Sequence, residues 1–320
     1  EALDGRGGPG TGGGRGDDGT GRRPGGRRPL VTGSRFTVPG VDLDLVARSH
    51  GWYDLPSFAW DEGRRRLSFV FLHDGAPVPV RLAARDGAVA VTAPVPAPVT
   101  RRVVGRVLNL AADLAPFHAP CAARRDEGFG WVADRLAGRI LRSPSLFEDA
   151  VKVLCTTNCS WALTRLMVSR MVEAFDRGGA FPDAPFLASL PERRLREELK
   201  LGYRAPFLHE FASRVASGAL DLSAWEDPGS PDAELMERIR REKGFGPYAA
   251  ETLLRLLGRH GHLGLDSWSR KKVATLRFRG RPVKDARVAR YYAPFGRFAG
   301  LAFWLDVTRE WHDGRDPLWP

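Results

Sequence analysis

Cysteine is scarce in this chain of 320 residues, which contains only Cys121, Cys155 and Cys159. Three cysteines without paired C-x-x-C spacing exclude a closed disulfide framework and a metal site built on such pairs. We therefore predict that they are small buried hydrophobic residues of a protein in the reducing cytosol.

Long hydrophobic runs are also absent, since no stretch approaches the roughly 20 apolar residues of a membrane-spanning helix. No signal-peptide pattern precedes the first globular segment, so we expect a cytoplasmic protein, associated with the nucleoid if the source is bacterial. Acidic residues are outnumbered, with 38 Asp and Glu against 49 Lys and Arg, which leaves a formal net charge of +11. This excess favours an anionic partner, nucleic acid before a membrane.

Residues 1–34 are dominated by glycine and arginine. They contain 13 of the 36 glycines, and too few apolar side chains to form a core. We predict a disordered, mildly cationic tail. Such a tail can add non-specific affinity for nucleic acid, and an alternative in which it has no role stays open.

Residues 35–120 are predicted to form an antiparallel β domain. The stretch "SFAWDEGRRRLSFVFLHDGAPVPVRLAARDGAVAVTA" alternates apolar and polar residues between Asp-Glu-Gly, His-Asp-Gly and Arg-Asp-Gly turns. This pattern indicates four or five strands with one covered face.

The texture of the sequence becomes helical after the proline-rich "APVPAPV", and residues 121–320 are predicted to form a helical domain. Apolar residues at helical spacing in "SPSLFEDAVKVLCTTNCSWALTRLMVSRMVEAF" predict two consecutive helices. Further helices are predicted at 192–200, 206–218, 231–242, 247–258, 284–293 and 295–311. The predicted fold class is α+β, an N-terminal antiparallel sheet followed by a mostly helical domain.

The stretch "KGFGPYAAETLLRLLGRHGHLGLDSW" contains a glycine turn between two predicted helices. Gly244 and Gly246 allow a sharp turn that Phe245 anchors in the core, and Pro247 suits the first position of the second helix. The free amides at that helix start, together with the helix dipole, can bind a DNA phosphate. A purely structural pair of helices would show the same pattern.

Asp266 starts another predicted helix, which carries Arg270, Lys271 and Lys272. Aspartate is a favoured N-cap, so a structural role is sufficient on its own. A carboxylate beside an anion-binding turn and a basic cluster is also suited to positive charge that develops during a reaction. Breaking an N-glycosidic bond produces an oxocarbenium-like sugar, which a carboxylate can stabilise.

Taken together, these segments resemble the helix–hairpin–helix DNA glycosylase superfamily, in which an aspartate follows the Gly-x-Gly turn. The segments "LFEDAVKVLCTTNCSW", "LGYRAPFLHEFASRV" and "PFGRFAGLAFWL" are similar to parts of its 8-oxoguanine glycosylases. The segment "VDLDLVARSHGWYDLPSFAW" is similar to the start of the β domain of 8-oxoguanine and 3-methyladenine glycosylases. The resemblance extends over most of the chain and implies this fold.

The resemblance also implies roles for individual residues. Asp266 corresponds to the catalytic carboxylate. Asn158 corresponds to a residue that fills the gap left by a flipped base, with a helix-end cap as the alternative. Tyr203 and Arg204 correspond to residues that wedge into the duplex and contact the orphaned base, although Tyr203 has the alternative of a core aromatic. Gly244, Phe245, Gly246, Arg270, Lys271 and Lys272 complete the predicted DNA-binding set.

Several positions depart from the family pattern. Members that also cleave the strand carry a lysine where this chain has Tyr248, and a phenol cannot form the required imine. The resemblance therefore implies a monofunctional enzyme that hydrolyses the glycosidic bond, although Lys271 or Lys272 could trap an abasic site adventitiously. Leu163 replaces an arginine that contacts the opposite cytosine.

The predicted base pocket also departs from the family pattern. Trp268 and Phe303 replace a histidine and a base-reading glutamine of the 8-oxoguanine enzymes. Together with Tyr248 they indicate a pocket that stacks on an electron-poor, alkylated purine, unless they are simply core residues.

We expect no resident cofactor. An iron–sulfur cluster is excluded because no cysteine follows Cys159, while a monovalent cation at the hairpin is left open. The expected partner is double-stranded DNA with a damaged base, bound by a monomer. Two alternatives stay open, an 8-oxoguanine glycosylase with an atypical pocket and a non-catalytic DNA-structure-binding protein.

Overall fold

Five antiparallel strands form the first part of the structure, a computed structural model that describes residues 33–313. They are β1 (Ser34–Pro39), β2 (Phe58–Asp61), β3 (Arg66–His73), β4 (Ala76–Arg85) and β5 (Ala88–Ala93), in the sheet order β1-β5-β4-β3-β2. Asp74 and Gly75 connect β3 to β4 with φ angles of 51° and 73°, the left-handed conformation of a tight two-residue hairpin turn. The predicted sheet and its Asp-Gly turn are confirmed.

One face of the sheet is buried, as the alternation predicted. Along β3 the side chains of Leu67, Phe69 and Phe71 are buried, while the residues between them are partly exposed. Phe69 lies opposite Val80 of β4, which is also buried, so the apolar positions of neighbouring strands face the same side.

Helices make up most of the remaining chain. Their bounds are α1 (Leu43–Ala47), α2 (Ala97–Val107), α3 (Ala115–Ala123), α4 (Gly130–Asp134), α5 (Leu146–Thr156), α6 (Trp161–Phe175), α7 (Ala184–Ser189), α8 (Glu192–Glu197), α9 (Ala205–Ala216), α10 (Asp232–Arg240), α11 (Pro247–Leu256), α12 (Ser267–Arg277), α13 (Asp285–Tyr292), α14 (Ala299–Val307) and α15 (Arg309–His312).

Two features of the helical part differ from the prediction. Helix α2 and most of α3 lie inside the range 35–120 that was assigned to the β domain. Pro96 and Pro98 of the proline-rich stretch stand at the start of α2, where the missing N–H costs nothing. The predicted single helix 295–311 is divided into a 3-10 segment (Ala293–Phe298), α14 and α15, and Gly296 breaks helical geometry with φ of 57°.

The described residues 33–313 belong to one compact unit. The division of the chain at residue 120 therefore stays a prediction, and β1 begins at Ser34, the last residue of the predicted tail. Residues 1–32 of that tail lie outside the described range. Between residues 33 and 313, no helix combines the length and the apolar character that crossing a bilayer would require.

Buried polar contacts join the loop before β2 to helix α5. The indole Nε1 of Trp52 donates to Asp149 Oδ1 at 2.9 Å, and both side chains are buried. Lys152 on α5 is fully buried and pairs with Glu148 at 2.6 Å, and Ser57 donates to the same glutamate. Unpaired, these buried charges would be very costly, so the contacts fix the loop on α5. The loop therefore presents residues 50–52 to the helical part.

Candidate active site

Helices α10 and α11 form a helix–hairpin–helix, as the glycine pattern predicted. Gly244 has φ of +90°, and a Cβ there would lie 2.6 Å from Leu154 Cδ1, so both backbone conformation and packing require glycine. Phe245 is 2% exposed, and its ring centroid lies 5.1 Å from that of Phe211. Phe245 therefore anchors the turn in the core and offers no side-chain surface to a ligand.

The second half of the turn faces outward. Gly246 is exposed, caps α11 in an extended conformation, and would place a Cβ in open space. Pro247 follows at the first helical position, and the next amides belong to the first turn of a ten-residue helix, where they have no acceptor within the helix. This geometry allows an anion to approach the backbone closely.

Asp266 caps helix α12. Its Oδ1 accepts from the Ser269 amide at 2.7 Å, and the Ser269 hydroxyl accepts from the Asp266 amide at 3.0 Å, which is a complete capping box. Among the described residues, Asp266 Oδ2 has no hydrogen-bond donor. The capping role that the sequence allowed is therefore present, and one carboxylate oxygen is left for other contacts.

A cavity of about 170 Å³ adjoins Asp266. Five of the nine tryptophans line it, so we name it the tryptophan cavity: Trp52, Trp161, Trp268, Trp304 and Trp311. An apolar cavity of about 150 Å³ holds a benzene molecule, so this one is on the scale of a planar aromatic ring system.

Three of these tryptophans present ring surface rather than N–H groups to the cavity. The indole of Trp52 bonds to Asp149, that of Trp161 to Asp54 at 2.8 Å, and that of Trp304 to the Ser49 carbonyl at 2.8 Å. Their donors are therefore used by the protein. What these walls can offer a ligand is stacking and hydrophobic contact.

Three titratable side chains of the cavity lining have shifted pKa values. His50 Nε2 donates to the Leu141 carbonyl at 2.6 Å, and burial lowers the pKa of His50 to about 4, so its ring is neutral at physiological pH. Burial raises the pKa of the Tyr248 phenol, and the nearby charge of Asp266 raises it further. Burial lowers the pKa of Arg255 to about 10, which leaves it charged, and its guanidinium lies 4.6 Å from the Trp304 ring centroid.

A larger groove of about 870 Å³ runs past the hairpin, and we name it the hairpin groove. Its lining includes Asn158, Tyr203, Arg241, Arg270 and the whole turn from Lys243 to Pro247. The groove and the tryptophan cavity share Thr156, Cys159, Tyr248, Asp266 and Ser267. The cavity therefore lies directly beneath the groove, with Asp266 and Tyr248 at the junction.

Asn158 and Tyr203 are exposed at the groove, as residues that enter a duplex would need to be. Asn158 has φ of 47° and Tyr203 is 50% exposed, which excludes the alternative of a core aromatic for Tyr203. Arg204 differs from the prediction. It is 3% exposed and its guanidinium donates to the carbonyl and hydroxyl oxygens of Thr157, so it supports the turn before Asn158 rather than an orphaned base.

The three predicted cations of α12 are not equivalent. Arg270 lines the groove but forms a bidentate pair with Asp285 at 2.8 and 2.9 Å. Lys272 pairs with Glu310. Lys271 is exposed and has no ion pair among residues 33–313. The predicted phosphate contact is therefore best supported for Lys271, because the charges of Arg270 and Lys272 are already compensated.

Trp268 lines the cavity and Phe303 does not. Phe303 is fully buried, with its ring edge-to-face on Tyr292 at 5.4 Å, so the prediction that it forms the pocket is wrong and the alternative of core packing holds. One residue along α14, Trp304 faces the cavity, because each helical step rotates the side chain by about 100°. Leu163 is partly buried against the core and lines neither space.

Sequence reasoning missed the cavity residues that come from distant segments and from the far end of α11. His50, Trp52, Trp161, Trp304, Trp311 and Arg255 belong to this set. The signals that could have found them are the abundance of tryptophan and the spacing on α11, where Arg255 follows Tyr248 by seven residues and lies on the same helix face.

Comparison with known proteins gives the fold. No family model matches the chain. A Bacillus subtilis protein, YfjP, provisionally named as a DNA-3-methyladenine glycosylase, is 26% identical over 159 residues, which cover 47% of this chain. The matched region spans only 54% of that relative's length.

Solved structures match over a larger part of the chain. A 3-methyladenine DNA glycosylase from Archaeoglobus fulgidus has a TM-score of 0.69 at 22% identity, covering 85% of this chain and 97% of its own. An 8-oxoguanine glycosylase/lyase from Clostridium acetobutylicum, solved with double-stranded DNA, has a TM-score of 0.68 at 18% identity, covering 86% and 93%. The chain therefore has the helix–hairpin–helix DNA glycosylase fold.

Proposed function

We propose that this protein is a monofunctional DNA glycosylase that flips a damaged purine, most favourably an alkylated one, out of duplex DNA and hydrolyses its N-glycosidic bond. The observation that carries the proposal is the position of Asp266, which lines both the tryptophan cavity and the hairpin groove while only its Oδ1 is used by the helix cap. The relatives and structural neighbours named as DNA glycosylases support it.

Binding begins at the hairpin groove. The amides at the start of α11 donate hydrogen bonds to a phosphate of the damaged strand, and Lys271 and Arg241 supply charge at the exposed surface. Flipping the nucleotide breaks stacking and pairing, and Asn158 and Tyr203 are the exposed side chains able to occupy the vacated space. The flipped base enters the tryptophan cavity, which brings its sugar to Asp266.

The chemical step uses the free carboxylate oxygen of Asp266. As the bond from the sugar C1′ to the base nitrogen lengthens, positive charge develops on the sugar, and the Asp266 carboxylate stabilises it. The same carboxylate orients a water molecule that adds to C1′, and it accepts the proton that this water gives up. The electron pair of the broken bond leaves with the base, and a cationic alkylated base leaves as a neutral molecule.

Tyr248 is the reason to propose hydrolysis without strand cleavage. A lyase needs an amine that adds to C1′ and forms an imine, and a phenol cannot. Burial raises the pKa of Tyr248, which keeps the hydroxyl protonated. The product proposed is an intact strand with an abasic site.

The walls of the cavity favour alkylated purines. Cationic rings are attracted to the faces of tryptophan, and the indole donors of Trp52, Trp161 and Trp304 are already used. Arg255 favours a second candidate, a neutral base such as 8-oxoguanine, because its guanidinium is a charged donor in the cavity lining. No step requires a resident cofactor. The monomeric state, the cytoplasmic location and a monovalent cation at the hairpin stay predictions from the sequence.

A panel of duplex oligonucleotides tests this function. Each carries one lesion (7-methylguanine, 1,N6-ethenoadenine, hypoxanthine or 8-oxoguanine), and products are separated with and without alkaline cleavage. We expect alkali-dependent breaks at an alkylated purine and none with Asp266→Asn. Breaks that appear without alkali would contradict the monofunctional proposal, and excision by Asp266→Asn at the unaltered rate would contradict the catalytic role.

A further inference from the structure

The peptide group between Leu263 and Gly264 is held at both of its polar atoms by helix α11. Arg255 Nη2 donates to the Leu263 carbonyl at 2.6 Å, and Glu251 Oε2 accepts from the Gly264 amide at 2.5 Å. The carbonyl and the amide belong to one planar unit, so two bonds fix both its position and its orientation. We name these two residues and this peptide the peptide clamp.

Helix geometry allows the clamp. Glu251 and Arg255 are four residues apart on α11, so their side chains leave the same helix face. Tyr248 and Thr252 lie on this face as well, and all but Glu251 line the tryptophan cavity. One face of α11 therefore borders the cavity and grips the loop that leads to Asp266.

Gly264 is adapted to this contact. Its φ is +64°, and a Cβ there would lie 2.6 Å from Arg255 Nη2 and 3.7 Å from Glu251 Cβ. Any side chain would push the guanidinium away from the Leu263 carbonyl. The glycine, the arginine and the glutamate thus form one fitted contact.

The burial of Arg255 supports a specific role for its hydrogen bond to the loop. Arg255 is 5% exposed, and its guanidinium packs on the Trp304 ring. A buried guanidinium that is used only to fill space would cost more than an apolar side chain of similar size. Here its charge faces Glu251 and Asp266, and its single hydrogen bond among residues 33–313 goes to the loop.

We propose that Glu251 and Arg255 are positioning residues that hold the Asp266 carboxylate at its working place relative to the hairpin. This inference rests on the proposed function. Asp266 follows the clamped peptide by two residues, and α11 begins at the hairpin, so the phosphate-binding amides and the carboxylate are fixed to one helix. The clamp therefore keeps the Asp266 carboxylate at a fixed distance from the bound phosphate, and so from the sugar carbon that reacts.

Single-turnover kinetics separates this role from plain structural support. The substrate is a duplex with one 7-methylguanine, and affinity is measured on a duplex with a tetrahydrofuran abasic analogue. Misplacement of a reacting group by about 1 Å costs on the order of 100-fold in rate. We expect Glu251→Ala and Arg255→Met to lose about that factor in excision rate, with little change in the dissociation constant for the analogue.

Conservative variants sharpen the result. Glu251→Gln keeps an oxygen that accepts from the Gly264 amide, so we expect it to recover most of the rate that Glu251→Ala loses. Glu197→Ala is the matched control, because it removes an exposed i,i+4 pair with Arg193 on α8, and neither residue lines the tryptophan cavity or the hairpin groove. Equal loss in Gln and Ala variants of Glu251, or rates that fall only with the folded fraction, would overturn the positioning role.

Amide hydrogen exchange tests the clamp without any activity. Peptides covering residues 260–269 should exchange faster in Glu251→Ala and Arg255→Met than in the unaltered protein, while hairpin peptides should not change. Unchanged exchange at Gly264 would overturn the clamp itself. Absence of excision by the unaltered protein on every lesion, with exchange accelerated as expected, would instead count against the proposed function.

Discussion

The hairpin and the tryptophan cavity are assembled in opposite ways. The hairpin is contiguous: residues 241–246 make the turn, and its anchor Phe245 packs on α9 and on Trp225. The cavity collects residues from the loop at 50–52, from α6, α11 and α12, and from α14 and α15. The first depends on local backbone rules, and the second depends on how distant segments pack. A substitution in either region should therefore damage a different property.

Asp266 lies where the two regions meet, and its replacement should have the largest effect on the reaction. Asparagine is as good an N-cap as aspartate, so Asp266→Asn should keep the fold and the affinity for the abasic analogue. Loss of a group that stabilises transition-state charge costs about 10²- to 10³-fold. We expect a single-turnover rate reduced by that range at unchanged melting temperature. A melting temperature that falls in parallel with the rate would assign Asp266 a capping role only.

Phe303 and Trp304 are neighbours on α14 that belong to different environments. Phe303→Ala should destabilise the fold by about 3–5 kcal/mol, because it empties a fully buried site, and should leave lesion preference unchanged. Trp304→Ala should change lesion preference, because it opens the cavity wall and removes the ring beneath Arg255. Denaturant unfolding and the lesion panel check the pair. The same lesion preference in both variants would contradict the assignment of Phe303 to the core and Trp304 to the cavity wall.

Gly244 and Gly246 make the corresponding pair in the hairpin. Gly244→Ala combines a left-handed backbone with a contact against Leu154, so we expect a loss of at least about 1–2 kcal/mol of stability. Gly246→Ala has an ordinary φ of −70° and open space, so its stability should change by less than about 0.5 kcal/mol. Its methyl group should nevertheless weaken DNA binding. Unaltered DNA affinity in Gly246→Ala would place the phosphate elsewhere.

The smallest expected effect concerns the cations of α12. If Lys271 contacts phosphate, Lys271→Ala should reduce the slope of log affinity against log salt by about 0.9. Lys272→Ala should change that slope less, because Lys272 is paired with Glu310. Titrations of undamaged duplex at several salt concentrations measure both slopes. Equal slopes for the two variants would mean that the ion pair opens on binding.

Prediction from sequence succeeded where the physical cause is local. The glycine pair, an aromatic anchor and proline at a helix start identified the hairpin, and the preference of aspartate for the N-cap position indicated the α12 cap. Alternation of apolar residues likewise indicated the sheet and its buried face. These features depend on residues within a few positions of each other.

Prediction failed where the outcome depends on register between packed elements. Phe303 was assigned to the pocket by resemblance alone, and nothing in the segment shows that Trp304 is the residue of α14 that faces the cavity. The resemblance assigned Arg204 to the orphaned base, and only packing shows that its guanidinium donates to Thr157. The acidic partner of Lys272 lies 38 residues away in the chain, and that of Arg270 lies 15 residues away.

The amino-acid sequence by itself determined the turn, the cap and the sheet, because each follows from the backbone preferences of residues close together. It also determined that a tyrosine, Tyr248, stands where an imine-forming enzyme needs a lysine. The tertiary structure alone decided that Asp266 borders a tryptophan cavity, that Arg255 is buried there, and that Glu251 and Arg255 grip the peptide before Asp266. These contacts join segments whose relative positions are set by packing of the whole core, which no local pattern encodes.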